Sequence, residues 1–322
     1  MCRWWYGCQR SIRKIPKLKA ISEFKIIEKY LSNIGTSFNK KNKVLIGVGD
    51  DASVISLSKN LIVSTDTSLE GVHFPKGIKP EYAAYRACVT ALSDLAAMGS
   101  HPLAFQLSLS TRENNHKFFS SFKKGLNDFS NDYKIGLTGG DLVRGQYQIS
   151  VTVIGKQHSK ILLRNNCSVG DIVFLSDQLG NGLLGMQNFK KFRRKNNVSS
   201  AYLKPKALIN YGKTIAEFAS SAIDVSDGFL QDLGHLSKAS KVGFELFSSS
   251  IPYNSNLSLK QCLNCGDDYQ LIFTVPKKNI QSLTKKMKKN KFKMFEVGTS
   301  IQTKKIFLDG KITSINMGYK HF

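Results

Sequence analysis

Six short motifs set carboxylates beside glycines or hydroxyls along a chain that is otherwise strongly basic. They are Gly49-Asp50-Asp51-Ala52, Ser64-Thr65-Asp66-Thr67, Leu92-Ser93-Asp94-Leu95, Gly139-Gly140-Asp141, Ile223-Asp224-Val225-Ser226-Asp227-Gly228 and Gly266-Asp267-Asp268-Tyr269. With 23 acidic residues against 47 basic ones and a formal charge of +24, this concentration of acids at expected strand ends and turns needs a cause. Crowded carboxylates repel one another and favour their protonated forms unless a hard divalent cation supplies the opposite charge. Mg²⁺, bound by a few carboxylates and by phosphate oxygens, is the simplest such cation, so the pattern points to an enzyme that handles phosphate. Taken singly, each motif also reads as an ordinary turn or helix cap, with Ser226 or Asp227 capping a helix that starts at Gly228. Taken together they do not. Turn aspartates need no Ser or Thr partners, and they do not require Asp94 inside a helix.

The chain is 322 residues long, enough for two domains, each with its own core. Its 41% hydrophobic and 22% charged residues are globular values. No apolar run reaches the roughly 18 residues of a membrane span, and the start MCRWWYGCQRSIRK has no apolar core of a secretory signal. The six cysteines are scattered, and Cys262-Leu263-Asn264-Cys265 is a lone pair without a second pair or a nearby histidine. A reduced, cytoplasmic protein without a membrane partner is expected. The positive excess lies in local lysine runs such as 277–293, which read as solvated amphipathic helix with Ile280, Leu283 and Met287 on one stripe. No nucleic-acid partner is expected. The rival reading, a basic nucleic-acid-binding protein, predicts salt-sensitive binding independent of ATP.

Along the chain, residues 1–20 carry no acid and hold a Trp4-Trp5-Tyr6 cluster; they read as an appendage without chemistry. Hydrophobic spacing predicts a helix from Phe24 to about Gly35, a strand over 44–48, and a strand over 61–65 that delivers Asp66 at its end. Residues 81–98 make the clearest helix, with Pro80 before it and Gly99 after it. On one stripe Ala83, Ala87, Thr90 and Asp94 recur, leaving room beside that carboxylate. A strand at 103–109, a helix at 117–129 and strands at 136–138 and 148–154 follow, with Asp141 in the turn between the last two. Residues 164–170 read as a connector. The second half is expected to contain strands at 171–175, 222–226, 271–275 and 305–308, and helices at 183–192, 205–218 and 228–239. Residues 21–163 and 164–322 are therefore the expected domains. His73, shortly after the Asp66 strand, and Arg164 are further site candidates.

Gly180-Asn181-Gly182-Leu183-Leu184-Gly185 matches the dinucleotide fingerprint, but residues 186–216 contain no Asp or Glu to bind a ribose. It is read as a turn with close helix packing. No P-loop sequence occurs, so ATP is not held by one.

The strings GVGDDASV, STDTSLEGVHF, LSDLAAMGSHP, TGGDLVRG, SAIDVSDGFLQDLGHL, CGDDYQLIFTVP and the terminal GYKHF, in this order, resemble the thiamine-monophosphate kinase family. That family belongs with aminoimidazole ribonucleotide synthetase, selenophosphate synthetase and a nitrile-forming hydrogenase maturation protein. The resemblance covers about residues 22–322. It implies an α/β (α+β) fold with mixed sheets flanked by helices, and a homodimer built through the N-terminal domains. It also implies ATP and thiamine monophosphate bound in a cleft with several Mg²⁺ ions. Carried over, Asp51, Ser64, Thr65, Asp66, Asp94, Asp141, Asp224 and Asp227 become metal or metal-water ligands, of which Asp94, Asp66, Asp141 and Asp224 are the catalytic set. Gly140, Asp141, Arg164 and Ser226 would contact ATP, with Tyr133 stacking on adenine. His73, Asp267 and Tyr319 would face the thiamine phosphate.

Departures from the family pattern are specific. Gly266-Asp267-Asp268-Tyr269-Gln270 stands where Gly-Glu-Asp-Tyr-Glu is usual, so the carboxylate near the acceptor is one methylene shorter. Asn316 stands where a tryptophan is often found, with Tyr319 as a replacement. Residues 1–20 have no family counterpart. The resemblance implies direct transfer of a phosphoryl group from ATP to thiamine monophosphate. The nearest rival is another ATP-dependent enzyme of the same superfamily, against which the long STDTSLEGVHF and GDDYQLIFTVP matches argue.

Overall fold

A computed structural model describes residues 23–48 and 53–313. Asp51, Asn316, Tyr319 and the segment 1–20 lie outside the described residues.

The N-terminal half opens with a short helix α1 (Glu23–Ile26), continued by a wider turn to Leu31, and a two-stranded antiparallel ribbon of β1 (Val44–Ile46) and β2 (Val54–Ile55). A four-stranded sheet follows, made of β3 (Leu61–Leu69), β4 (His101–Ser110), β5 (Gly136–Val143) and β6 (Gln148–Lys156) in the order β3-β6-β4-β5. β4 and β5 run parallel and the other neighbours antiparallel. One face is covered by α2 (Pro80–Ala97) and α3 (His116–Tyr133), against which Phe105, Leu107, Ile149, Val151 and Val153 pack as one core. On the opposite face of β3, Leu61 and Val63 are half exposed, and hydroxyls pair across strands, Thr65 with Thr152 and Thr67 with Ser150, each at 2.8 Å. The alternation of buried and open positions along β3 and β6 is that of a sheet covered on one side only.

The C-terminal half is built on a seven-stranded sheet: β7 (Ile172–Leu175), β8 (Ser221–Asp224), β9 (Gly243–Leu246), β10 (Leu271–Val275), β11 (Phe295–Ile301), β12 (Ile306–Leu308) and β13 (Lys311–Ile312), in the order β13-β12-β9-β11-β7-β10-β8. Its helices are α4 (Asn181–Phe192), α5 (Ser200–Leu203), α6 (Ile209–Ile215), α7 (Phe229–Ser240), α8 (Leu259–Asn264) and α9 (Ile280–Asn290). β7 and β10 are buried on both faces and read as unbroken apolar runs for that reason. Ile172, Phe174 and Phe273 join the core that contains α2, α6 and α9. Val173, Leu175 and Ile272 join a separate core with α7 and α8. Among the described residues, no helix is long and apolar enough to cross a membrane.

Four sequence expectations are corrected. Asp66 sits inside β3, not at its end, because β3 stays paired with β6 through Leu69. Asp141 lies in β5 rather than in a turn, because parallel pairing with β4 extends to Val143. Gly140 makes that pairing possible: its φ is +150°, and a Cβ there would stand 1.8 Å from the Leu107 carbonyl oxygen. The helix expected over 205–218 shortens to Ile209–Ile215, since Lys204 before Pro205 is kept out of the helical region and the Ala207 N–H donates to the Tyr133 hydroxyl at 2.8 Å. β9, four residues long, and β11, broken by a bulge between Glu296 and Gly298, carry no clear sequence period.

The two halves meet along α2. Fourteen of its residues are buried, which a helix allows only where small side chains let several neighbours approach. Gly212 of α6 lies against the Ala96 carbonyl, and a Cβ built on it would stand 1.9 Å from that oxygen. Gly212→Ala must therefore push α6 off α2. It is expected to destabilise the protein by about 1–3 kcal/mol, read as a lower midpoint in a thermal melt. An unchanged midpoint would show that the two helices are not held at this distance.

Candidate active site

α2 carries the site through one stripe, Arg86, Thr90 and Asp94 at i, i+4 and i+8, which lines a cavity. This cavity of about 980 Å³ is walled by Asp66 and Ser68 of β3, by Val72 and His73, by Asp224 at the end of β8, by Ser226 and Asp227 after it, and by the loop 264–269. A second cavity of about 480 Å³ is lined by Ser64, Asp94, Met98, Leu163 and Arg164. Asp94 lines both.

Three carboxylates converge there from three elements. Burial, with Asp94 and Asp227 adding like charge, pushes Asp66 up to about 6, and Asp224, which is 3% exposed, up to about 7. For Asp224 the like charge after burial is that of Asp94 and Asp66. Asp94 is raised by burial as well, partly offset by the Ser64 hydroxyl that donates closely to it and by the Arg164 charge. The Ser93 hydroxyl donates to Asp224 at 2.7 Å, tying α2 to β8 through a buried bond. Such crowding is costly for the protein alone and becomes favourable when a hard cation is added. The donor set of carboxylate and hydroxyl oxygens, without thiol or imidazole among the three, suits Mg²⁺.

The turn after β8 is shaped by a residue that sequence reasoning passed over. Asp232, in the first turn of α7, accepts the N–H groups of Ser226, Asp227 and Gly228 at 3.0, 3.1 and 3.1 Å. Burial, followed by the Asp224 charge, pushes its carboxyl up to about 8. Neither Ser226 nor Asp227 acts as the side-chain cap of α7. Both remain at the cavity wall.

The glycine-rich segment 180–185 is explained by Asp268, whose carboxylate accepts the Gly180 N–H at 2.6 Å and the Gly182 N–H at 2.9 Å. The chain's own carboxylate takes the place a pyrophosphate has in the fingerprint this segment mimics. Its neighbour Asp267 faces the cavity and forms an ion pair with Arg86. His73 lines the same end; its Nδ1 accepts the Leu69 N–H at 3.0 Å and its carbonyl accepts from the Tyr202 hydroxyl at 3.2 Å.

The structure thus brings together Asp66, Asp94, Asp224, Ser226, Asp227, His73 and Asp267 around one cavity, with Ser64 and Arg164 on the far side of Asp94. It does not bring Thr65, Gly140 or Asp141 there. Thr65 points from the other face of β3, and Asp141 is exposed on β5, at the opposite edge of the sheet, with its carboxylate accepting the Leu142 N–H at 2.9 Å. Three strand spacings, about 14 Å, separate β3 from β5. Tyr133 is not at the cavity: its ring packs on Phe129 and its hydroxyl accepts from the Ala207 N–H. Arg86 is not among the sequence candidates, since it lies outside the acidic motifs. Its signal was a charged residue eight positions before Asp94 in a helix of small apolar residues.

Comparison with known proteins finds matches over most of the chain. The AIR synthase related protein N-terminal domain matches residues 49–157, and the corresponding C-terminal domain matches residues 168–311. A thiamine-monophosphate kinase of Buchnera aphidicola subsp. Schizaphis graminum is 36% identical over 323 residues, covering 94% of this chain and 99% of its own. The crystal structure of thiamine-monophosphate kinase from Stenotrophomonas maltophilia superposes with a TM-score of 0.79 at 27% identity, over 88% of this chain and 98% of that one. The structure of AaThiL complexed with AMPPCP and TMP does so with a TM-score of 0.75 at 28% identity, over 93% and 97%. With family domains matched over most of the chain and a relative 36% identical over nearly its whole length, the chain belongs to the thiamine-monophosphate kinase family.

Proposed function

We propose that this chain transfers the γ-phosphoryl group of ATP to thiamine monophosphate, giving thiamine diphosphate and ADP. The observation that carries the reading is Asp94, the carboxylate shared by two adjoining cavities, one walled by Arg164 and the other by Asp224, Asp227, His73 and Asp267. Two phosphorylated molecules entering from either side would meet at that residue. We place ATP toward Arg164 and Ser64, and the acceptor toward His73 and Asp267.

An oxygen of the acceptor phosphate attacks the γ-phosphorus in line as the bond to the β-phosphate oxygen breaks, and ADP leaves. That oxygen is already ionised near neutral pH, so no side chain has to serve as base. Asp66, Asp94, Asp224 and Asp227, with Ser64 beside them, are the residues that would hold Mg²⁺, which when bound supplies charge neutralisation for both anions. The chain's own contribution is to fix the carboxylates on rigid elements, β3, α2 and β8, and to screen the reacting end with buried walls. Arg164 adds positive charge on the ATP side.

Thr65 and Asp141 lie on the open face of the four-stranded sheet, where Leu61, Val63 and Val143 are also exposed. We infer a homodimer through this face. It would bring Asp141 of one copy toward β3 of the other, and so unite groups that a single chain keeps apart. Residues 21–163 and 164–322 are taken as the two domains on the same reading. A cytoplasmic location fits a soluble biosynthetic kinase.

Three outcomes test the proposal. Asp94→Asn keeps the shape and removes the charge, so kcat is expected to fall by about 10³-fold or more in a folded protein; near-normal turnover would sink the assignment. Asp224→Asn removes a buried like charge. The ligand-free protein should melt higher than wild type, yet lose the roughly 2.7 kcal/mol that Mg²⁺-ATP at about 100 times its Kd confers on wild type. Equal Mg²⁺-ATP stabilisation of both proteins would exclude Asp224 from the cation site. With γ-labelled ATP, thiamine monophosphate should be labelled directly and free thiamine hardly at all, with no label on the protein. Labelled protein, or comparable labelling of free thiamine, would refute the direct mechanism.

A further inference from the structure

We propose that Arg86 is a positioning residue for the acceptor: it holds Asp267 on the cavity wall so that this carboxylate receives the nitrogen-bearing, cationic ring system of the substrate. The inference rests on the acceptor being thiamine monophosphate, whose rings carry an amino group and a positive charge.

Arg86 is 4% exposed, and a guanidinium so deep in the protein is tolerable only when its charge and its donors are matched. Both terminal nitrogens and the ring-facing surface are matched on the protein side. One terminal nitrogen donates to the Tyr202 carbonyl at 2.8 Å, the other pairs with Asp267 Oδ1, and the guanidinium lies over the Tyr202 ring at 3.9 Å from its centroid. The Tyr269 hydroxyl donates to the same Asp267 Oδ1 at 2.7 Å. Both bonds therefore fall on one oxygen of a side chain that is 31% exposed, and Oδ2 is the oxygen with lone pairs to offer the cavity. The loop accepts strain to present it: Asp267 and Tyr269 have φ of +68° and +50°, a left-handed backbone that non-glycine residues seldom adopt.

The position along α2 separates this role from phosphate binding. Eight residues put Arg86 about 12 Å from Asp94 along the helix. The carboxylate cluster that would assemble phosphates lies at the Asp94 end, and the Arg86 end is walled by His73, Leu183 and Met186, surfaces suited to flat rings. Asp267 is also where this chain departs from the family's usual glutamate. The shorter arm is compensated by a clamp from α2 and Tyr269, which leaves it one defined orientation.

Steady-state kinetics on the full chain test the inference, using Arg86→Gln, Arg86→Lys, Asp267→Asn, Asp267→Glu and the Arg86→Gln/Asp267→Asn double variant. Losing a charge-assisted bond should raise KM for thiamine monophosphate about 10–100-fold in Arg86→Gln and in Asp267→Asn, with kcat and the KM for ATP within about threefold of wild type. The double variant should be no worse than the worse single one, because the two residues act as one unit. Arg86→Lys should fall between wild type and Arg86→Gln, and Asp267→Glu should stay near wild type. The inhibition constant of phosphate-free thiamine should rise by the same factor as KM in each variant. An unchanged KM for thiamine monophosphate, or an equal rise for ATP, would show a mere staple between α2 and the loop and overturns the inference. So does an unchanged inhibition constant for thiamine beside a raised KM, which would make Arg86 a phosphate contact. If Arg86→Gln does not fold, Arg86→Lys and Asp267→Asn decide by the same criteria. No turnover by the wild type overturns the kinase reading itself, whereas normal wild-type turnover with unaffected variants overturns this inference alone.

Discussion

Helix α2 has almost no solvent-facing side, and the rest of the architecture depends on that constraint. A helix enclosed by the four-stranded sheet, α3, α6 and β8 can be held only through small residues on most of its surface. The polar side chains it does carry must then be paired or must open into a cavity. Ser93 is paired with Asp224, Arg86 with Asp267, and Asp94 with Ser64. Each of these bonds leaves α2 for another element, so the packing that joins the two halves also aligns the site.

The same constraint explains why the cluster of acids is affordable. Burial raises Asp66, Asp94 and Asp224, and the like charge of neighbouring carboxylates adds to it at Asp66 and Asp224, a cost borne by the unliganded protein that a bound cation offsets. The large buried cores on both sides of the C-terminal sheet and on one side of the N-terminal sheet supply stability against which that cost is set. Asp232 and Asp268 belong to the same economy of backbone groups. Each uses a buried carboxylate to satisfy the N–H groups of a helix start, leaving Ser226 and Asp227 at the cavity wall in one case and closing the glycine-rich turn in the other.

The acidic motifs and their order along the chain determined the chemistry without coordinates: carboxylates in such number beside glycines and hydroxyls imply a cation and phosphate, and long matched strings identify the family. Hydrophobic spacing also located α2, α3, α7 and β10 closely, because each has one strong period or one unbroken apolar run. What periodicity cannot carry is which face of a strand meets which partner. Thr65 and Asp66 are adjacent in sequence and sit on opposite faces of β3, one on the open face and one in the cavity, because successive residues of a strand alternate. Asp141 lies three strands from them because β6 and β4 insert between β3 and β5, an order no local signal encodes. Arg86 is eight residues from Asp94 on the helix, yet its partner Asp267 is 181 positions away, and only the docking of the 264–269 loop on α2 turns a lone arginine into part of a paired cavity wall.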